Sequence, residues 1–176
     1  MTQMYRDPKT FEIIGAAMEV HREHCLIYLY IKGILEYYFR VRKDTENFML
    51  SAEYDISTAG HMIETGRYIY VIFMCHLSIE KVLKAIVAEV TDKTPPKTHN
   101  LLYLTKLVEI NFPEKLFEFV SKINNVSIVT RYAEDFSKLV DVYPENIAKE
   151  YFEQTKEVLA WLRQHEKLTK SLKGSV

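Results

Sequence analysis

The run RYIYVIFMCHLSIEKVLKAIVAEV, Arg67 to Val90, constrains the fold more than any other part of the chain. Its few polar residues are His76, Ser78, Glu80, Lys81, Lys84 and Glu89, and the rest is apolar on nearly every side of a helical wheel. A helix of that kind sits at the centre of a bundle or beneath a partner chain, because a single stripe of neighbours cannot cover it. The surrounding segments must then supply apolar helix faces to enclose it.

They read that way. DTENFMLSAEYDISTAGHMIETG opens with Thr45 as the expected cap, carries Phe48, Ala52, Ile56, Ala59 and Ile63 as one stripe, and ends at Gly66. After the break TDKTPPKTHN, Thr98 is placed to cap the short helix HNLLYLTKLVEI. Pro113 opens PEKLFEFVSKIN, with Leu116, Val120 and Ile123 on one face. Pro144 opens the last helix, whose buried side is Ile147, Tyr151, Thr155, Val158, Leu159 and Leu162. Upstream, Asp7 and Pro8 start a helix through Phe11, Ile14, Met18, His21 and Cys25, and Leu26 to Arg42 forms a second. Between Asn124 and Pro144 no helix or strand pattern is visible, which predicts a long loop around Arg131, and long loops in compact domains are often functional. Only 5 Gly and 5 Pro in 176 residues, with no strand pattern or repeat, make the chain all-α.

Composition excludes several functions. A net charge of −1 gives no global attraction for nucleic acid, although a local patch remains open. Cys25 and Cys75 sit on apolar stretches and read as small buried hydrophobes rather than as a disulfide or metal pair. His21 with His24, or His61, lacks a second ligand pair, so neither a metal nor a cofactor is expected. There is no Gly-rich phosphate loop and no nucleophile elbow. Cys75 and His76 are consecutive on a helix and point about 100° apart, so they do not form a nucleophile pair. CLIYLYIKGILEYYF is too short to span a bilayer and contains Lys32 and Glu36, and MTQMYRDPKTFE lacks a signal-peptide layout. A cytoplasmic protein without a membrane role is expected.

Two groups of residues could carry function. Glu80 and Lys84 are spaced i,i+4 and form either a solvated ion-pair stripe or, with His76 and Lys81, the wall of a groove for an anion. Lys97, His99 and Arg131 would complete that groove if the connections fold over it. In TRYAED, the Arg131 fork suits phosphate and the Tyr132 ring suits base stacking, while the plain alternative pairs Arg131 with Glu134, Asp135 or a core-helix acid.

From about Lys43 to residue 166 the order of DTENFMLSAEYDISTAGHMIETGRY, FMCHLSIEKVLKAIVAEV, PPKTHNLLYLTKL, TRYAED and YPENIAKEYFEQTKEVLAWL resembles the HEPN (higher eukaryotes and prokaryotes nucleotide-binding) domain family. The resemblance implies an up-and-down bundle of four to five helices, a homodimer with a cleft between protomers, and nucleotide or RNA binding. It also implies pairing with a minimal nucleotidyltransferase in a toxin–antitoxin arrangement. Arg131, Tyr132, Lys81, Lys84, His99 and His76 are the ligand-binding candidates under this reading. Catalytic members are metal-independent ribonucleases with an R-x4–6-H motif, whose His works on the 2′-hydroxyl and whose Arg stabilises phosphate charge. Here Phe136, Ser137 and Lys138 occupy the positions where that His would stand, so no catalytic residue is assigned. Family members commonly carry two adjacent glutamines where this chain has His76 and Leu77.

The alternatives are a divergent metal-independent endoribonuclease using Arg131 with His76 or His99, and a dimeric scaffold that binds a partner without ligand. Residues 8–24, including TFEIIGAAMEVHREH, resemble the start of GxxExxY proteins. The expected organisation is an N-terminal helical extension over 1–42 and a HEPN-like bundle over 43–176.

Overall fold

The computed structural model describes residues 42–131, 136–165 and 168. Among the described residues there are six helices and no strand: α1 (Lys43–Glu64), α2 (Tyr68–Thr91), α3 (Leu101–Leu107), α4 (Glu114–Arg131), α5 (Phe136–Val142) and α6 (Glu145–Leu162). Of the expected extension over residues 1–42, all but Arg42 lies outside the described residues, as does Tyr132.

The apolar run from residue 68 onward forms α2, and α2 touches each of the other five described helices. Val71, Ile72, Cys75, Ile79, Val82, Leu83, Ala85 and Ile86 on it have no solvent exposure. Burial pushes the Cys75 thiol up to about 12, with Thr155 alongside it from α6. The thiol therefore behaves as a small core hydrophobe.

α1 is the most extensive neighbour of α2. It presents Ala52, Ile56 and Ala59 as buried residues, with Phe48 and Ile63 partly buried at either end of the stripe. The small alanines let the helices approach, and the Ser78 hydroxyl donates to the Ala52 carbonyl at 2.9 Å across the contact. The two helices turn through Gly66, whose φ of 69° needs a residue without a Cβ. There the Arg67 N–H donates to the Met62 carbonyl at 2.8 Å and the Gly66 N–H to the Ile63 carbonyl at 3.1 Å. This pair of hydrogen bonds closes the carboxy end of α1 and sends α2 back antiparallel to it.

The far end of the pair is tied by charge. The Arg42 guanidinium meets Asp44 at 3.0 Å and also reaches Asp92, just beyond the end of α2. Arg42 holds the Asp44 carboxyl below the usual carboxylate range. Thr45 does not cap α1 as expected: it is buried in the first turn, and the cap position falls to Arg42.

On the other side of α2, α6 buries Ala148, Tyr151, Thr155, Val158, Leu159 and Leu162, the expected face except that Ala148 is buried and Ile147 only partly so. Tyr151 sets its ring edge-on to Phe119 of α4 at 5.6 Å and to Tyr143 at 6.5 Å.

The described residues of the expected loop from Asn124 to Pro144 are mostly helical. α4 continues through Arg131, and Phe136–Val142 adds a further short helix to the expected bundle. The cue obscuring this was the cluster Asn124, Asn125, Ser127 and Thr130, residues that usually leave helices because their side chains compete for backbone hydrogen bonds. Asn124 instead spends its side chain on another element. Its Oδ1 accepts from the Leu101 N–H at 2.8 Å in the buried interior.

Truncating Leu83→Ala in the middle of α2 should destabilise the protein by about 2–5 kcal/mol, read by denaturant unfolding. A cost below about 1 kcal/mol would mean that α2 is not the centre of the core.

Candidate functional site

Charge buried in α2 organises this region. Glu80 is only 4% exposed, which requires that its carboxylate be matched by cations and hydrogen-bond donors. It is. Lys84 Nζ stands 2.7 Å from Oε1, the favourable i,i+4 arrangement. His99 Nδ1 stands 2.9 Å from Oε2. His76, fully buried one turn earlier, places Nδ1 3.9 Å from the same oxygen, too far for a hydrogen bond but close enough to interact electrostatically. Glu80 and Lys84 therefore do not form a solvated stripe, because both are drawn into the bundle.

A second pair lies around the helix from the first. Lys81 Nζ meets the buried Asp55 carboxylate of α1 at 2.5 Å. Asp55 could have been read from the sequence as a partner, since it falls between Ala52 and Ile56 on the buried stripe of α1. The two lysines and two carboxylates balance in charge, so Lys81 and Lys84 are committed to matching buried acids.

His99 differs from the rest. Its side chain is 63% exposed although Nδ1 reaches the buried Glu80. That arrangement fixes the ring while leaving its other edge open to solvent.

The backbone around His99 is also held. Pro95 is buried, the Thr98 N–H donates to the Pro96 carbonyl at 2.9 Å, and Thr98 Oγ1 accepts from the Asn100 N–H at 3.2 Å. Asn100, not Thr98, caps α3, its Oδ1 accepting from the Tyr103 N–H at 2.9 Å. Asn is among the strongest capping residues and stands directly before LLYL, a signal visible in the sequence. The role of Asn124 in fixing the start of α3 was not visible, because it depends on a contact between segments 23 residues apart.

The structure thus brings His76, Lys84 and His99 together on Glu80, and it places Lys81 on the separate Asp55 pair. Lys97 is exposed on the connection beside His99. Arg131 is the last residue of α4, two helical turns beyond Asn124. Among the described residues no group of three or more metal-ligating side chains is present. None of the described helices is long and apolar enough to cross a membrane.

Among the described residues, five helices packed around one apolar helix, with a charged cluster buried midway along it, define a compact α-helical domain class. The HEPN domain family model matches residues 45–165, and the chain belongs to that family. Two solved structures share the fold. One is TT1696 from Thermus thermophilus, 21% identical, with a TM-score of 0.61 over 72% of this chain and 100% of that one. The other is ST0689, described as an archaeal HEPN homologue, 19% identical, with a TM-score of 0.56 over 69% of this chain and 97% of that one. No curated protein matches the chain significantly in sequence.

Replacing Glu80→Gln should cost about 3–5 kcal/mol in unfolding free energy, because Lys84 and His76 lose their buried carboxylate. His99→Ala, at the exposed rim of the same cluster, should cost less than about 1 kcal/mol. Equal small losses in chemical denaturation would mean that the cluster is solvated rather than buried.

Proposed function

We propose that this HEPN-domain protein binds nucleotides or RNA, with the phosphate held near His99 and Arg131. The observation that carries the reading is the His99 ring, exposed on one edge and fixed on the other by a buried carboxylate. An imidazole held in this way offers an oriented hydrogen-bonding nitrogen to a ligand without first having to order itself. Arg131 would contribute the planar fork suited to phosphate, and Tyr132 a face for a base. Lys81, Lys84 and His76 support the site from within rather than contacting the ligand, since they are matched to Asp55 and Glu80. The family resemblance supports a homodimer in the cytoplasm, partnered by a minimal nucleotidyltransferase as one half of a toxin–antitoxin pair.

A second reading is favoured by the same ring. A histidine whose Nδ1 faces a carboxylate and whose Nε2 faces solvent is arranged as a general base. Metal-independent RNA cleavage would then use His99 to take the proton of a 2′-hydroxyl as that oxygen attacks the adjacent phosphorus and the 5′-oxygen leaves. Arg131 would stabilise the charge that develops on the phosphate.

The test is a thermal-shift series with ATP, ADP, AMP and a short single-stranded RNA on wild type, Arg131→Ala and His99→Ala. Binding predicts a stabilisation of about 2–3 kcal/mol at a hundredfold excess over Kd, lost in both variants. Cleavage predicts RNA products that persist in EDTA and fall by about 10²–10⁴ in His99→Ala. No shift and no product would contradict both readings and leave a scaffold that co-purifies with its partner.

A further inference from the structure

The turn between α1 and α2 carries a second feature, away from the Glu80 cluster. A cavity of about 130 Å³ opens there, lined by Arg67, Tyr68, Ile69, Tyr70, Val140 and Tyr143 among others. A dry cavity of about 150 Å³ takes a benzene ring, so this volume suits a single six-membered ring better than a fused pair.

The walls favour an aromatic ring over an aliphatic one. Tyr68, Tyr70 and Tyr143 surround the volume, and aromatic faces and edges attract another ring beyond what burial alone supplies. Two of these rings are held by other contacts. The Tyr68 hydroxyl donates to Glu145 at 3.1 Å, and Tyr143 stands edge-on to Tyr151 at 6.5 Å. Ile69 is buried and adds an aliphatic wall. Tyr70, 49% exposed, and Val140, 45% exposed, stand where the cavity meets solvent.

The charge in the wall favours an anion. Arg67 is exposed, and no described residue forms an ion pair with it. Its guanidinium offers parallel N–H groups that match the two oxygens of a carboxylate. The first turn of α2 holds no acidic residue that would repel an anion. The Glu145 carboxylate is already matched by Lys149 at 2.5 Å and by the Tyr68 hydroxyl. Because Arg67 itself lines the cavity, the anionic group must lie within a bond or two of the ring. A phosphate held away from its base by a ribose does not meet that limit. A carboxylate on the ring, or on one methylene beyond it, does.

We infer that the cavity at the α1–α2 turn binds a small aromatic carboxylate, its ring among Tyr68, Tyr70 and Tyr143 and its carboxylate on Arg67. This site is independent of the nucleotide reading above. Tyr68 precedes Glu80 by twelve residues on α2, about 18 Å along the helix axis.

Calorimetric titration of the full chain with phenylacetate, 2-phenylethanol and cyclohexylacetate tests the assignment. The second probe lacks the charge, and the third lacks the aromatic ring. Phenylacetate should bind about tenfold or more tighter than 2-phenylethanol, and about two- to tenfold tighter than cyclohexylacetate. Arg67→Ala should remove the first preference. Tyr70→Ala should reduce the second, and Tyr70→Phe should restore it. Val140→Trp, which fills the mouth, should abolish binding of all three, whereas Arg131→Ala and His99→Ala should leave phenylacetate unaffected. The three cavity positions substituted are exposed, and an unchanged thermal midpoint without ligand excludes unfolding as the cause. The peptide Gly-Gly-Phe carries the same chemistry at a chain end, and binding tighter than that of phenylacetate would overturn the small-molecule assignment. No binding of phenylacetate at millimolar concentration, equal affinity for phenylacetate and 2-phenylethanol, or affinity unchanged in Val140→Trp would overturn the inference outright. None of these results bears on nucleotide binding at His99 and Arg131, which the AMP and RNA series tests separately.

Discussion

A carboxylate in the interior of an apolar helix must be neutralised where it stands, and Glu80 on α2 sets this requirement for the domain. An unmatched buried carboxylate would cost several kcal/mol, so the residues around Glu80 are not free to vary independently. Lys84 answers from one turn along the same helix, and His76 lies one turn before. His99 answers from outside it, and through that contact the connection between α2 and α3 is drawn onto the core. Once that connection is fixed, α3 starts at Asn100, and Asn124 of α4 is placed to accept from its first turn. One buried charge therefore links three helices and leaves one imidazole at the surface.

The apolar part of this design was legible in the sequence. Residues 68–90 read as a helix covered on every side, and the stripes of α1 and α6 fell close to where their spacing put them. Gly66 was readable because a positive φ after a helix leaves few other choices. What was not legible depended on contacts between distant segments. The stretch from Asn124 showed no helical pattern, yet Asn124 is a helical residue whose side-chain oxygen accepts from the first turn of α3, and α4 extends through Arg131. Glu80 looked like half of a surface pair, because nothing local shows that residues 95–100 close over it. The Tyr68 and Tyr70 side chains read as part of the apolar run, and only the return of α5 and Tyr143 makes them walls of a cavity.

The charge arrangement changes how the sequence candidates are understood. Lys81 and Lys84 would suggest an anion site on their own, but each stands on a buried acid. Any phosphate chemistry near Glu80 must then come from His99 and from groups beyond the cluster such as Arg131.

The central claim is that Glu80 orients His99, and nitrogen NMR of the His99 imidazole tests it most directly. In the neutral ring the proton should sit on Nδ1, facing Glu80, with Nε2 unprotonated toward solvent. Glu80→Gln should abolish that preference. A ring that carries its proton on Nε2 in the wild-type protein, or a tautomer unchanged by Glu80→Gln, would contradict the account.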